Sequence, residues 1–216
     1  MKTLELFAGS RSFSKVAEEY GFKTYTTDNQ DFDKIDQVCD IFDFNIDEAL
    51  TELGGFPDIV WASPPCTTFS VASIGHHWNK DNTPKTEEAI LGVKIVEKTI
   101  DIINELQPKY WFIENPRGKL RKLDVVRRFA RATVTYCSYG DIRMKPTDIW
   151  TNFHLWKPKP MCKNGNRDCH HEPAPRGSQT GTQGLKGSYE RSQIPPALFE
   201  ELFTQAKLNY RSMDWV

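Results

Sequence analysis

Three short runs of this chain hold side chains able to do chemistry. The first is Ser63-Pro64-Pro65-Cys66-Thr67-Thr68-Phe69-Ser70, where two prolines stiffen the backbone just ahead of a thiol and just behind the apolar run 58–62. A cysteine in a hydroxyl-rich, non-helical loop at the carboxyl end of a strand fits an exposed nucleophile; the other reading is a small buried side chain. The second run is Phe112-Ile113-Glu114-Asn115-Pro116, which ends another apolar stretch. A parallel sheet would bring Glu114 to the same edge as Cys66, where a neutral, partly buried acid could pass a proton to a substrate; a surface Glu opening a helix is the plainer reading. The third is Leu6-Phe7-Ala8-Gly9-Ser10, with Asp28 and Asp40 further on. A glycine turn before a helix offers backbone amides to a polar ligand, Asp28 could accept from a ribose, and Asp40 could accept an adenine amino group.

The elements that must hold these runs follow from periodicity and turn signals. Residues 1–7 predict a strand, 11–20 a helix stopped by Gly21, and 22–27 a second strand. A short strand near Val38-Cys39, a helix over 46–53 ended by Gly54-Gly55 and a buried strand over 58–62 come next. Ile90, Val93, Val96, Ile100 and Ile103 recur at helical spacing within 86–106, so that helix should lay one face on a sheet. A strand over 110–113, a helix over 122–131, strands over 133–136 and 148–151, and a final helix over 195–208 complete the pattern. Strands alternating with helices imply an α/β fold, a mostly parallel sheet covered on both faces.

At 216 residues the chain suits one domain with at most a small appendage. Its net charge of −1 is unevenly spread: residues 1–116 hold 10 Lys+Arg against 20 Asp+Glu, and residues 117–216 hold 18 against 9. Such asymmetry suits a polyanionic partner, or a compact protein that pairs its own charges. Five cysteines, an odd number, and no apolar leader point to a reduced, cytoplasmic protein. No apolar stretch approaches the roughly 18–20 residues needed to cross a bilayer, so no membrane role is expected.

Taken in order, Gly9 in its turn, the Pro-Pro-Cys run ending in Phe69-Ser70, and Glu114-Asn115-Pro116 resemble the cofactor, nucleophile and Glu-Asn-Pro motifs of the cytosine-5 DNA methyltransferases. Tyr139-Gly140-Asp141-Ile142-Arg143-Met144-Lys145 is similar to that family's Tyr-Gly followed by Gln-x-Arg-x-Arg, with Asp141 in the glutamine position. Arg11 stands where the family's turn has a second glycine, and Thr67 follows the nucleophile where glutamine is usual. The resemblance covers about residues 1–152 and, more faintly, 188–206. It implies a Rossmann-like, class I methyltransferase fold with a catalytic domain over 1–151 and 191–216. A small irregular target-recognition segment would span 152–190. The implied reaction is methyl transfer from S-adenosylmethionine to carbon 5 of a cytosine flipped out of double-stranded DNA. In it Cys66 adds to carbon 6, Glu114 engages N3, and Arg143 and Lys145 anchor the flipped nucleotide. Phe7, Ala8, Gly9, Ser10, Asp28, Asp40, Ile41, Pro64 and Ser192 would hold the cofactor, and Ser70 and Arg117 would touch DNA. A monomer in a bacterial or phage-infected cell is expected. Two alternatives keep the scaffold: action on RNA cytosine or with a modified donor, and a non-catalytic nucleic-acid-binding homologue.

The segment after Trp156 is rich in Pro, Gly and polar residues, and too poor in large apolar ones to build a core. Arg176, Gln179 and Gln183 within it suit a loop laid along phosphates, with the glutamines reading adenine edges, or one that is merely solvated. Cys162, Cys169, His170 and His171 make a Cys-x₆-Cys-His-His run that could bind structural zinc, its fourth ligand open, or remain a loop of reduced thiols. The stretch 71–85, with His76, His77 and Trp78, could form a lid over the nucleophile or a surface loop.

Overall fold

A computed structural model describes residues 1–163, 165–172 and 187–213. Arg176, Gln179 and Gln183 lie outside the described residues. The apolar run at the amino terminus becomes β1 (Lys2–Leu6), and Ser12–Glu19 becomes α1. Next come β2 (Lys23–Asp28) and β3 (Gln37–Val38), then α2 (Ile46–Leu53), whose Asn45 side chain accepts the Glu48 N–H at 3.2 Å and whose end is capped by left-handed Gly54. β4 (Ile59–Ala62) follows, then the single turn α3 (Ile74–His77) and the long α4 (Glu87–Leu106), with Thr86 as its cap and two glutamates in its first turn. The remainder is β5 (Tyr110–Pro116), α5 (Asp124–Arg127), β6 (Arg131–Thr135), β7 (Pro146–Thr151), α6 (Ser188–Ser192) and α7 (Pro196–Met213).

The seven strands lie in the order β3-β2-β1-β4-β5-β7-β6. All pairs from β3 to β5 are parallel, whereas β7 runs antiparallel to both β5 and β6. The chain builds outward from β1 to β3 and then returns to place β4 on the other side of β1. This reversal opens a crevice at the carboxyl ends of β1 and β4, the place where open α/β sheets bind ligands. The predicted α/β architecture is therefore the one observed.

Alternation along β4 separates two cores. Val60 and Ala62 face one side with Leu4, Leu6, Ile113 and the α4 residues Val96, Ile100 and Ile103. Ile59 and Trp61 face the other, against Phe13 of α1 and Phe199, Leu202 and Phe203 of α7. Phe13 stacks on Trp61 and meets Phe199 and Phe203 edge-on, so the first and last helices close this face together. Ile90, expected on the buried stripe of α4, is exposed, and its neighbour Ala89 is buried instead. The helix predicted over 122–131 is one turn only: Arg131–Thr135 pairs with β7 instead, and the ladder outweighs helical spacing. Among the described residues no helix is long and apolar enough to cross a membrane.

Glu5 joins β1 to α1. Its buried carboxyl accepts the N–H groups of Phe13 at 3.3 Å and Ser14 at 2.9 Å, yet burial outweighs them and pushes its pKa from 4.5 up to about 7. The raised value means that the folded protein holds this proton where the unfolded chain has released it, so stability falls as pH rises from about 4.5 to about 7 and stays reduced above. Glu5→Gln should remove about 2.5 kcal/mol of the loss in unfolding free energy between pH ~5 and pH ~8. Urea titrations of both proteins at the two pH values check this; equal losses would rule it out.

Candidate active site

Parallel register aligns three strand ends. Leu6 pairs with Ala62, and Ala62 pairs with Ile113, so Phe7 and Ser63 leave β1 and β4 at the edge where Glu114, still paired with Ile149 of β7, follows on β5. After β1 the chain turns sharply: Phe7 has φ 59°, Gly9 φ 45° and Arg11 φ 54°, and the Ala8 N–H is tied to the Thr27 carbonyl at 2.9 Å. A Cβ at Gly9 would find its nearest neighbour, Asp28 Oδ2, at 3.7 Å, so the left-handed backbone rather than crowding calls for glycine. Arg11 holds the same kind of conformation with a full side chain, which costs on the order of 1 kcal/mol, and its guanidinium folds back onto Glu18.

This turn forms one end of a cavity of about 770 Å³, within the range of roughly 300–1,000 Å³ usual for ligand sites. Phe7, Ala8, Gly9, Ser10, Asp28, Asp40, Ile41, Pro64 and Ser192 all line it. Asp28 already accepts the N–H groups of Gly9 at 2.9 Å and Gln30 at 3.0 Å, and Asp40 caps the turn at Ile41–Asp43 by accepting from Phe42 N at 3.0 Å. Each carboxylate keeps lone pairs for a ligand. Ser192 Oγ donates to the Tyr189 carbonyl at 2.7 Å.

The other end of the same cavity holds Cys66, Glu114 and Lys145. Asn115, fully buried beside Glu114, donates from Nδ2 to the Pro64 carbonyl at 2.9 Å and so pins the end of β5 to the cysteine loop. Burial raises the Glu114 carboxyl, and the Lys145 ammonium and the Tyr136 hydroxyl, which donates to Glu114 Oε1 at 3.2 Å, pull it back only in part. Burial likewise pushes up the Cys66 thiol; Lys145 lowers it and the Glu114 charge raises it. The Lys145 ammonium is itself depressed by burial while both acids favour its charge. The arrangement can supply a nucleophilic sulfur, a carboxyl biased toward its neutral form, and a cation favouring the thiolate.

A family model for C-5 cytosine-specific DNA methylases matches residues 1–131. The chain belongs to this family. A Frog virus 3 (isolate Goorha) protein named as a DNA (cytosine-5)-methyltransferase is 30% identical over 220 residues, covering 94% of this chain and 98% of that one. An E. coli structure described as a DNA modification methyltransferase encoded within a prophage superposes with a TM-score of 0.51 at 14% identity, over 75% of this chain. The present chain spans about half the length of that solved structure (52%) and shares its fold.

In this methylase Ser70 and Arg117 also line the cavity, on the Cys66 side. Arg143 stands behind it. Its buried guanidinium pairs with Asp141 and donates to the carbonyls of Glu190 at 3.3 Å, Arg191 at 3.1 Å and Gln193 at 2.9 Å. Asp141, in the family's glutamine position, is thus the counter-charge of Arg143. Lys145 donates to the Arg191 carbonyl at 2.9 Å, so both cations of the motif hold the strap that carries Ser192. The stretch 71–85 encloses α3 and folds back through a Trp78–Pro84 bridge, and Trp78 is buried with its Nε1 donating to the Thr68 carbonyl at 2.8 Å.

The expected metal ligands divide. Cys162, Cys169 and His171 come together with Cys137, a residue the spacing did not suggest. His170 is corrected out of the set, because its Nε2 lies 3.0 Å from the Asp141 carbonyl. Asn115 was visible in its motif without a role, and Tyr136 precedes the Tyr-Gly motif with no local signal.

Replacing Lys145 with Gln removes the cation that lowers the Cys66 thiol. Alkylation of Cys66, followed against pH by peptide mass spectrometry, should then show its midpoint displaced to higher pH, and an unchanged or lower midpoint would refute that role for Lys145.

Proposed function

We propose that this chain methylates carbon 5 of a cytosine flipped out of double-stranded DNA, through a covalent adduct between Cys66 and carbon 6. The observation that carries this reading is a single cavity lined at one end by the Gly9 turn with Asp28 and Asp40, and at the other by Cys66, Glu114 and Lys145. The first group fits a nucleoside with a charged tail: backbone amides at a helix start and carboxylates at the ends of neighbouring strands. S-adenosylmethionine, held there, supplies an electrophilic methyl group.

The chain's own residues prepare the cytosine to accept it. Cys66 loses its proton to solvent, aided by the Lys145 ammonium, and the thiolate adds to carbon 6. Ring charge that would collect at N3 is met by the neutral Glu114 carboxyl, which Tyr136 orients. The electron pair is thereby delivered to carbon 5. Once carbon 5 carries the methyl group, its proton leaves to a base and the carbon 6–sulfur bond breaks, restoring the aromatic ring and the thiolate. Arg143 and Lys145 keep the Glu190–Gln193 strap over this end of the cavity, and Ser70 and Arg117 at its rim meet the DNA. The positively charged second half of the chain favours DNA binding that weakens as salt rises.

DNA containing 5-fluorocytosine tests the reading, since fluorine blocks release at carbon 5. Incubation with S-adenosylmethionine should give a denaturation-resistant protein–DNA adduct that Cys66→Ala abolishes. On ordinary DNA the product should carry one added methyl per modified cytosine. Glu114→Gln should slow turnover by about 10²–10⁴-fold. A folded wild-type protein that gives neither adduct nor methylated cytosine would sink the proposal.

A further inference from the structure

The residues from Trp156 to Glu172 carry no regular secondary structure in their described part, and among them only Trp156 and His171 are buried. The segment nevertheless follows one defined path. Lys159 N donates to the Tyr139 hydroxyl at 2.9 Å, Ser138 Oγ to the Pro160 carbonyl at 3.0 Å, Cys162 N to Thr135 Oγ1 at 2.8 Å and Glu172 N to the Ile142 carbonyl at 2.8 Å. Every one of these contacts goes to residues 135–142, the stretch that leads into Arg143 and Lys145. At the centre of this contact the sulfurs of Cys137, Cys162 and Cys169 and a ring nitrogen of His171 all lie within 4.8 Å of one another.

We infer that these four residues form a structural zinc site, with Cys137 as the ligand that joins the segment to the catalytic domain. A tetrahedral ion with Zn–S near 2.3 Å and Zn–N near 2.0 Å sets its ligand atoms roughly 3.5–3.8 Å apart. Cys162 Sγ and His171 Nδ1 already stand 3.6 Å apart, and the remaining pairs need to draw in by about 1 Å at most. Three sulfurs and an imidazole are the donors that favour zinc over calcium or magnesium. Cys137 and His171 are buried and Cys162 and Cys169 half-buried, so the site is closed, as structural sites are. On binding, each of the three thiols releases its proton to solvent, His171 coordinates as the neutral ring, and the completed centre carries one negative charge. A segment with too little apolar surface to fold alone is thereby fastened to the turn after β6.

The inference is independent of the methylation reading, and its test measures metal. The full chain, purified from zinc-supplemented cells and desalted, should hold about one zinc per chain by elemental mass spectrometry. Cys137→Ser and His171→Ala should each fall to less than a tenth of that, while His170→Ala keeps it. If Cys137→Ser fails to fold, wild-type protein reconstituted with Co²⁺ still decides: its sulfur-to-cobalt charge-transfer band should have the intensity of three thiolates. Less than about half an equivalent of zinc in the wild type would overturn the site. So would a disulfide among the three cysteines, zinc retained in folded Cys137→Ser, zinc lost from His170→Ala, or a cobalt band of only two thiolates.

Discussion

The parallel pairing of β1, β4 and β5 governs where everything reactive can stand. Because Leu6, Ala62 and Ile113 are neighbours in register, the residues that follow them, spread over more than a hundred positions of chain, must come together at one edge. The register is held by burial on both faces. A one-residue slip in β4 would turn Val60 and Ala62 toward the α1–α7 core and Ile59 and Trp61 toward α4, exchanging side chains of very different volume. The Asn115–Pro64 hydrogen bond then locks the alignment just beyond the last paired residues, where the cysteine loop would otherwise have no ladder to hold it.

Against that frame the charges divide into a reactive set and a scaffolding set. Glu114, Cys66 and Lys145 sit close enough for each to shift the others, with burial as the dominant influence on all three. Nearby charges are instead consumed in holding the backbone. Arg143 is balanced by Asp141 and spends its remaining donors on three carbonyls of the strap. Asp148, fully buried on β7, takes Arg121 as its partner, with Nε at 2.7 Å from Oδ2, and accepts the Thr133 hydroxyl at 2.7 Å. That pairing ties β6 and the turn before α5 to the antiparallel strand. Removing Arg121 would leave the buried Asp148 carboxylate with Arg131, at 3.8 Å, as its remaining cation, and the loss would exceed the value of the ion pair itself.

Much of this was legible in the residues. The strand-turn-helix opening, the helix over Ile46–Leu53 and the long α4 follow from periodicity and caps within a few residues of each other, and the structure keeps them. The motif residues at the cavity were legible because each reactive group follows directly on an apolar run, so strand and function are adjacent in the chain. The 122–131 helix failed because Arg131–Thr135 pairs with β7, and the residue pattern that indicates a strand over 148–151 does not tell which stretch pairs with it.

The amino-acid sequence by itself therefore determined the sheet-forming segments, their order, the family and the groups available for chemistry, since these depend on neighbours within one or two turns of chain. Tertiary structure alone decided that Arg143 faces the strap, that Asn115 braces the nucleophile loop, and that Cys137 rather than His170 joins Cys162, Cys169 and His171. Those outcomes rest on contacts between residues far apart in the chain. Their geometry is set by strand register and by the direction in which each loop crosses the edge, neither of which any single segment encodes.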